Sequence, residues 1–171
     1  MTPTWHTGSD PYGGFAGGVN LANGSYFASQ TDVTVASVGP GLASTRSYNS
    51  MDTRNGAFGK GWTSPYEMSV EWMPAAPGVA VLRPDGKREF YGKNPDGTYG
   101  APLGSSAKMV ETAGPTWTLT DPDSTVYTFD ATGVLTGIVD EANRALQLTY
   151  TSGLLSQVKD AVSQRSLFYT W

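Results

Sequence analysis

Two stretches decide the fold: Tyr127-Thr128-Phe129-Asp130-Ala131-Thr132-Gly133-Val134-Leu135, and Asp140-Glu141-Ala142-Asn143-Arg144-Ala145-Leu146-Gln147-Leu148-Thr149-Tyr150. Their parts return further on. Gly133, Leu135, Ile138 and Asp140 recur twenty residues later as Gly153, Leu155, Val158 and Asp160, whereas Arg144, Leu146, Leu148 and Tyr150 recur after twenty-one as Arg165, Leu167, Tyr169 and Trp171. The slip marks a one-residue insertion, and Tyr127 with Phe129 supplies a partial earlier copy. Each unit reads as an extended run, a glycine turn, a second extended run and an Asp-bearing turn, which is a β-hairpin. A unit of about twenty residues cannot bury its own apolar face, so neighbouring hairpins must stack into one sheet, about three being needed for stability. The final run, Phe168-Tyr169-Thr170-Trp171, leaves an open strand edge, and the sequence is expected to be the N-terminal piece of a longer β-array.

Working outward, residues 1–16 are polar and glycine-rich and read as an arm or covering loop. Asn23-Gly24 predicts a tight hairpin between Val19-Asn20-Leu21 and Ser25-Tyr26-Phe27. Thr31 to Val35 alternates like a half-buried strand, and Ala43 to Tyr48 is a further extended run. Residues 66 to 72 carry the cleanest period of two, with Tyr66, Met68, Val70 and Trp72 on one face and Glu67, Ser69 and Glu71 on the other. On that reading Trp72 is core, and Trp72→Ala costs about 3 to 5 kcal/mol. Pro84-Asp85-Gly86 and Pro95-Asp96-Gly97 predict turns, and Ala107 to Glu111 reads as either a short strand or a helical turn. The expected fold is all-β, with antiparallel strands in an N-terminal domain over 17–115 and hairpin repeats over 116–171.

Composition narrows the function. Fifteen acidic and eleven basic residues among 171 give a net charge of -4, without the basic stripe that phosphate neutralisation needs, so nucleic acid is not an expected partner. The absence of Cys removes thiolate chemistry, disulfides and Cys-based metal sites. No stretch approaches the ~18 apolar residues of a membrane span.

The repeat, with its Tyr-Thr-Phe-Asp-Ala-Thr-Gly-Val-Leu and Asp-turn-Arg-x-Leu-x-Leu-x-Tyr runs, resembles the YD-repeats of the Rhs family. Upstream, Val19-Asn20-Leu21, Asp32-Val33-Thr34-Val35, Arg46-Ser47-Tyr48-Asn49-Ser50 and Phe58-Gly59-Lys60-Gly61-Trp62 resemble the domain that precedes those repeats. The resemblance covers roughly residues 17 to 171. It implies the cap and opening turn of a secreted or cell-surface β-shell that encloses or displays a C-terminal toxin, with downstream repeats and that effector as partners. An extracellular carbohydrate-binding or adhesion module, with cell-surface glycans as its partner, is the alternative. Two repeat features depart from the family pattern: Asp140-Glu141-Ala142-Asn143-Arg144 lacks glycine, and Tyr150-Thr151 stands in place of Tyr-Asp.

Candidate chemistry is sparse, and the expectation is no catalytic residue, no metal and no cofactor. His6 and Ser9 lie in the arm without a second group to hold them. Glu67 and Glu71 sit about 13 Å apart along a strand at ~3.3 Å per residue, too far for a glycosidase pair, and read as a solvated face. Asp121-Pro122-Asp123-Ser124 offers oxygens for weak calcium binding but reads better as a turn. Trp5, Trp62, Trp72, Trp117 and Trp171 are candidate sugar platforms, with core packing preferred for Trp62, Trp72 and Trp117. Arg46, beside Tyr48, is expected to set its guanidinium against an aromatic ring or carboxylate at the joint between the two regions.

Overall fold

The computed structural model describes residues 15–16, 18–21, 24–112 and 116–171, so Trp5, His6, Ser9 and Asn23 lie outside the described residues. Among the described residues the structure is strands, turns and one short 3-10 helix, and every strand pair is antiparallel. Phe15–Ala16 (β1) pairs Val19–Asn20 (β2). Phe27–Val35 (β3) and Leu42–Asn49 (β4) make a long ribbon. A small ribbon of Asn55–Gly56 (β5) and Gly59–Lys60 (β6) follows, and Trp62–Thr63 (β7) then returns to pair β4. Ser69–Trp72 (β8), Gly78–Leu82 (β9), Arg88–Lys93 (β10) and Tyr99–Gly100 (β11) build a four-stranded sheet in chain order. The last sheet is a seven-stranded meander, also in chain order: Lys108–Thr112 (β12), Thr116–Thr120 (β13), Val126–Phe129 (β14), Leu135–Val139 (β15), Ala145–Thr151 (β16), Leu154–Asp160 (β17) and Ser166–Phe168 (β18). It is an open sheet and not a closed barrel, with β12 and β18 at its edges. The sheet straddles residue 116, since Lys108–Thr112 pairs with Thr116–Thr120.

One local device builds most of the hairpins. In the loops 83–87, 94–98, 121–125, 130–134 and 140–144, the first residue donates its N–H to the carbonyl of the fifth, and the fourth donates back to the first. The fourth residue has positive φ in each: Gly86, Gly97, Ser124, Gly133 and Asn143. Asn143, at φ 60°, thus does the work of the glycine missing from that repeat, since a short polar side chain tolerates the left-handed region. Aspartate completes the loop from either of two positions. Asp130 and Asp140 stand first and accept from the third and fifth N–H groups, while Asp85, Asp96 and Asp123 stand third and accept from the fifth. The loop 160–165 is one residue longer, closing through Asp160 N to Arg165 O and Gln164 N to Asp160 O. That is the structural origin of the twenty-to-twenty-one slip.

Register carries the apolar pattern into a single core. Met109, Leu119, Tyr127, Ile138 and Leu146 lie opposite one another across β12 to β16, and all but Tyr127 are fully buried. This face of the meander packs with Val79, Val81 and Tyr91 of the four-stranded sheet and with Leu42, Tyr66, Met68 and Val70. Buried apolar area of this kind, at roughly 25 cal/mol per Å2, is the main stabilising term.

Several expectations need correction. The period-two run at 66 to 72 is not one strand. Ser64 and Glu67 form a capping box around Pro65, and this winds Pro65–Glu67 into a 3-10 turn. Tyr66, Met68 and Val70 are buried as expected, but Trp72 ends β8 and is 43% exposed, with Lys93 Nζ 5.7 Å over its ring. A core-sized loss for Trp72→Ala therefore has no structural basis. Trp62 is half-buried, and Trp117 alone among the three is fully buried. Residues 31–34 are exposed on both faces, so β3 is not a half-buried strand. Of Ala107 to Glu111, Lys108 onward is strand, in β12.

Candidate functional site

The residues that carry polar chemistry gather where the β3–β4 ribbon meets the end of the meander. Arg46 on β4 sits across from β3 at a bulge: Thr31 pairs Thr45 and Val33 pairs Ser44, leaving Asp32 as the extra residue. The bulge re-aims Asp32, which accepts a two-pronged bond from Arg46 at 2.6 and 2.7 Å. The same guanidinium lies 5.4 Å from the Trp62 ring centre and 5.9 Å from that of Phe58. Arg46 thus meets both an aromatic ring and a carboxylate, as expected from its place beside Tyr48. Rings continue on either side, with Tyr48 against Trp62 at 5.3 Å, Tyr26 against Tyr48 at 6.2 Å, and Phe58 edge-on to Trp171 at 5.2 Å. Since Phe58 lies between β5 and β6 and Trp171 follows β18, this seam ties residues far apart in sequence.

Backbone contacts reinforce it. Asp160 is 1% exposed and accepts from Val38 N at 3.1 Å, Val162 N at 2.9 Å and the Ser163 hydroxyl. Arg165 donates to the Ala36 carbonyl at 2.6 Å. The Ser163 hydroxyl, together with the two N–H groups, outweighs desolvation and holds the Asp160 carboxyl down at about 2. A lowered folded-state pKa means that the stability this group contributes is complete above the ordinary 3.8 and is lost as pH falls toward 2. Asp160→Asn is therefore expected to flatten the acid limb of the stability curve between those values, measured by urea unfolding at stepped pH; an unchanged acid limb refutes this role.

Tyr66 and Tyr150 complete the joint. Tyr66 Oη accepts from Ala43 N at 3.3 Å, and Tyr150 Oη donates to the Leu135 carbonyl at 2.8 Å. Burial pushes the Tyr66 hydroxyl up to about 12 and raises that of Tyr150 as well, so both remain neutral hydrogen-bonding groups.

Two ionic clasps tie the four-stranded sheet to the first strands of the meander, one at each end of β10. Arg83 Nη1 and Nη2 donate to Asp121 at 2.9 and 2.7 Å, and its Nε donates to Glu89 at 2.8 Å. Lys87 and the Tyr91 hydroxyl also donate to Glu89, which is 5% exposed. At the far end Lys93 pairs with Glu111, which also accepts from Tyr99. Asp121 is thereby engaged with Arg83 while Asp123 caps Thr125, so 121–124 is a turn. Among the described residues no three His, Cys, Asp or Glu side chains are grouped as metal ligands.

Glu67 departs furthest from its sequence reading as a solvated strand residue. Its carboxylate accepts from Ala57 N at 3.0 Å and Ser64 N at 2.8 Å, and lines a cleft of about 440 Å3 between the β5–β6 ribbon and the β16–β17 hairpin. Glu71 is exposed and pairs with Arg88. The Ser64-Pro65-x-Glu67 spacing signals a capping box, and Asp160 stands at the head of a recurring turn. Both roles therefore had a signal in the sequence. The chemistry of the joint is that of a clamp, made of matched charges, capped turns and interleaved rings.

Residues 16–91 match a family described as a domain of unknown function (DUF6531). The chain is also similar to the tRNA3(Ser)-specific nuclease WapA of Bacillus spizizenii and to the tRNA nuclease WapA of Bacillus subtilis, each 31% identical over 159 residues. These alignments cover 88% of this chain and 7% of each relative, so the chain spans a small fraction of the length of the curated relatives it matches. What it shares with them is thus one segment; in this chain the stretch that matches the DUF6531 description runs from Ala16 to Tyr91 of β10.

Proposed function

We propose that this chain is a non-enzymatic structural segment near the N-terminus of a large Rhs-like toxin protein. The observation that carries this reading is the proportion of the match, nearly all of this chain against 7% of relatives named as tRNA nucleases. In this reading the catalytic part belongs to the remaining length of such proteins. The β1–β11 region caps the structure and the meander opens a β-wall. YD-type hairpins then add at β18, where Phe168 is 76% exposed, and the wall encloses or displays a C-terminal effector. Placement outside the cell or at its surface belongs to the same proposal; no helix among the described residues is long and apolar enough to cross a membrane.

Two measurements test it. The purified chain is expected neither to cleave nor to retain tRNA, and cleavage that survives repurification would end the non-enzymatic reading. Amide hydrogen exchange is expected to be fast on the free edge of β18 in this chain and slow in a longer chain that includes the following encoded residues. Equal exchange in both removes β18 as the point of growth. A glycan-binding module is the second reading, favoured by the parallel Tyr169 and Trp171 rings (interplanar angle 9°) with Trp171 49% exposed. Saturable quenching of tryptophan fluorescence by an oligosaccharide would support it.

A further inference from the structure

The cleft beside Glu67, about 440 Å3, falls within the roughly 300 to 1,000 Å3 of small-ligand sites. Phe58, Trp171, Tyr150 and Tyr66 supply aromatic surface to its lining, and Glu67 is the one charged side chain among the described lining residues. The carboxylate is held in place by the Ala57 and Ser64 N–H groups, and each of its oxygens keeps a second acceptor position. Arg54, the nearby cation, is occupied by Asp52, with Nε and Nη2 bonded to both carboxylate oxygens, and it also donates to the Arg83 carbonyl. Burial raises the Glu67 carboxyl above its ordinary range despite the two N–H bonds, the behaviour of a negative charge short of a counter-charge. Aromatic faces and a carboxylate both attract cations.

We propose that this cleft binds an organic ammonium group, as carried by a lysine side chain or a free aliphatic diamine, with Glu67 as counter-charge and the Phe58, Trp171 and Tyr150 rings as walls. The proposal does not depend on the toxin-segment reading. It fits an overall charge of -4, and it selects against neutral polyols, which gain nothing from the carboxylate's charge.

The test is a titration of the 171-residue chain followed by amide NMR shifts, with cadaverine, the tripeptide Gly-Lys-Gly, a neutral diol of cadaverine's chain length, and N-acetylglucosamine as probes. Saturable shifts centred on Ala57, Phe58 and Ser64 are expected with cadaverine or the lysine peptide, the tighter of the two identifying the source of the ammonium. Glu67→Gln keeps an acceptor for the capping box and is expected to weaken amine binding at least about tenfold. Equal shifts from the diol, shifts from the sugar alone, or amine binding unchanged in Glu67→Gln would each overturn the proposal. Should Glu67→Gln fail to fold, the wild-type comparison of amine with diol decides alone.

Discussion

Gly133→Ala is expected to destabilise the chain by about 3 to 5 kcal/mol, among the largest effects a single methyl group can have. Gly133 has φ +83°, and a Cβ there would stand 1.8 Å from the Val70 carbonyl oxygen. Backbone on backbone cannot yield as a flexible side chain would. The contact is also a working one, because Val70 N donates to Gly133 O at 2.8 Å and Ser69 forms a β-bridge with Val134. The turn of one sheet is thus stitched to the first strand of the other, and the added methyl both strains the turn and pulls the stitch apart. Gly153 provides the control. Its φ is +79° but nothing lies within 4 Å of a Cβ built there, so Gly153→Ala should cost only the left-handed strain, about 1 to 2 kcal/mol. At roughly 2 to 4 °C of Tm per kcal/mol for a chain this size, thermal unfolding should separate the two variants clearly. Equal losses would mean that the close approach to Val70 is not maintained in solution.

Arg83→Met is expected to cost about 3 to 5 kcal/mol, because it takes from the buried Glu89 one of its two cationic partners and from Asp121 its two-pronged one. Glu89 shows how the balance works. Burial alone would raise its carboxyl, and the bonds from Lys87 and Arg83 outweigh that and hold it below the ordinary 4.5. The stability it contributes is therefore complete above 4.5 and lost as pH falls through the lowered folded-state value. Arg83→Met should reduce this acid sensitivity as well as the stability near neutral pH. Adding Glu89→Leu to Arg83→Met should recover part of the loss, since a paired charge removed whole costs less than one left alone. A double variant weaker than Arg83→Met alone would show that Glu89 is held mainly by Lys87 and Tyr91.

How much of this was legible in the sequence depends on the range of the interaction. The hairpins of the last third were readable because their cause is local: an Asp-headed loop, a left-handed fourth position and alternating apolar residues act within ten residues. The loops at Pro84-Asp85-Gly86 and Pro95-Asp96-Gly97, with aspartate third instead of first, were readable for the same local reason. Reading 66 to 72 as one strand failed because a period of two over seven residues takes no account of Pro65 and the Ser64–Glu67 box, which fold the first residues into a 3-10 turn before β8 begins. Trp72 was misplaced because alternation assigns a face but not the point where the opposing layer stops. The joint was only partly foreseen. Arg46 beside Tyr48 suggested a partnered guanidinium, but its bulged partner Asp32, the Phe58–Trp171 contact and the clasp of Asp160 on Val38 depend on tertiary placement. Arg83 with Asp121 is a pairing of the same kind.

Val38 and Ala36 find their hydrogen-bonding partners 122 and 129 residues later, on Asp160 and Arg165. A ribosome delivers the chain from one end, so the early ribbon must wait, with its docking groups still hydrated, until the turn between β17 and β18 has emerged. Each downstream hairpin can zip onto its predecessor as it appears, but the fastening of the ribbon waits for partners 122 and 129 residues further along the chain. Any helper that shields residues 27 to 49 in the interval would act on a nascent intermediate that no longer exists once synthesis has passed Arg165.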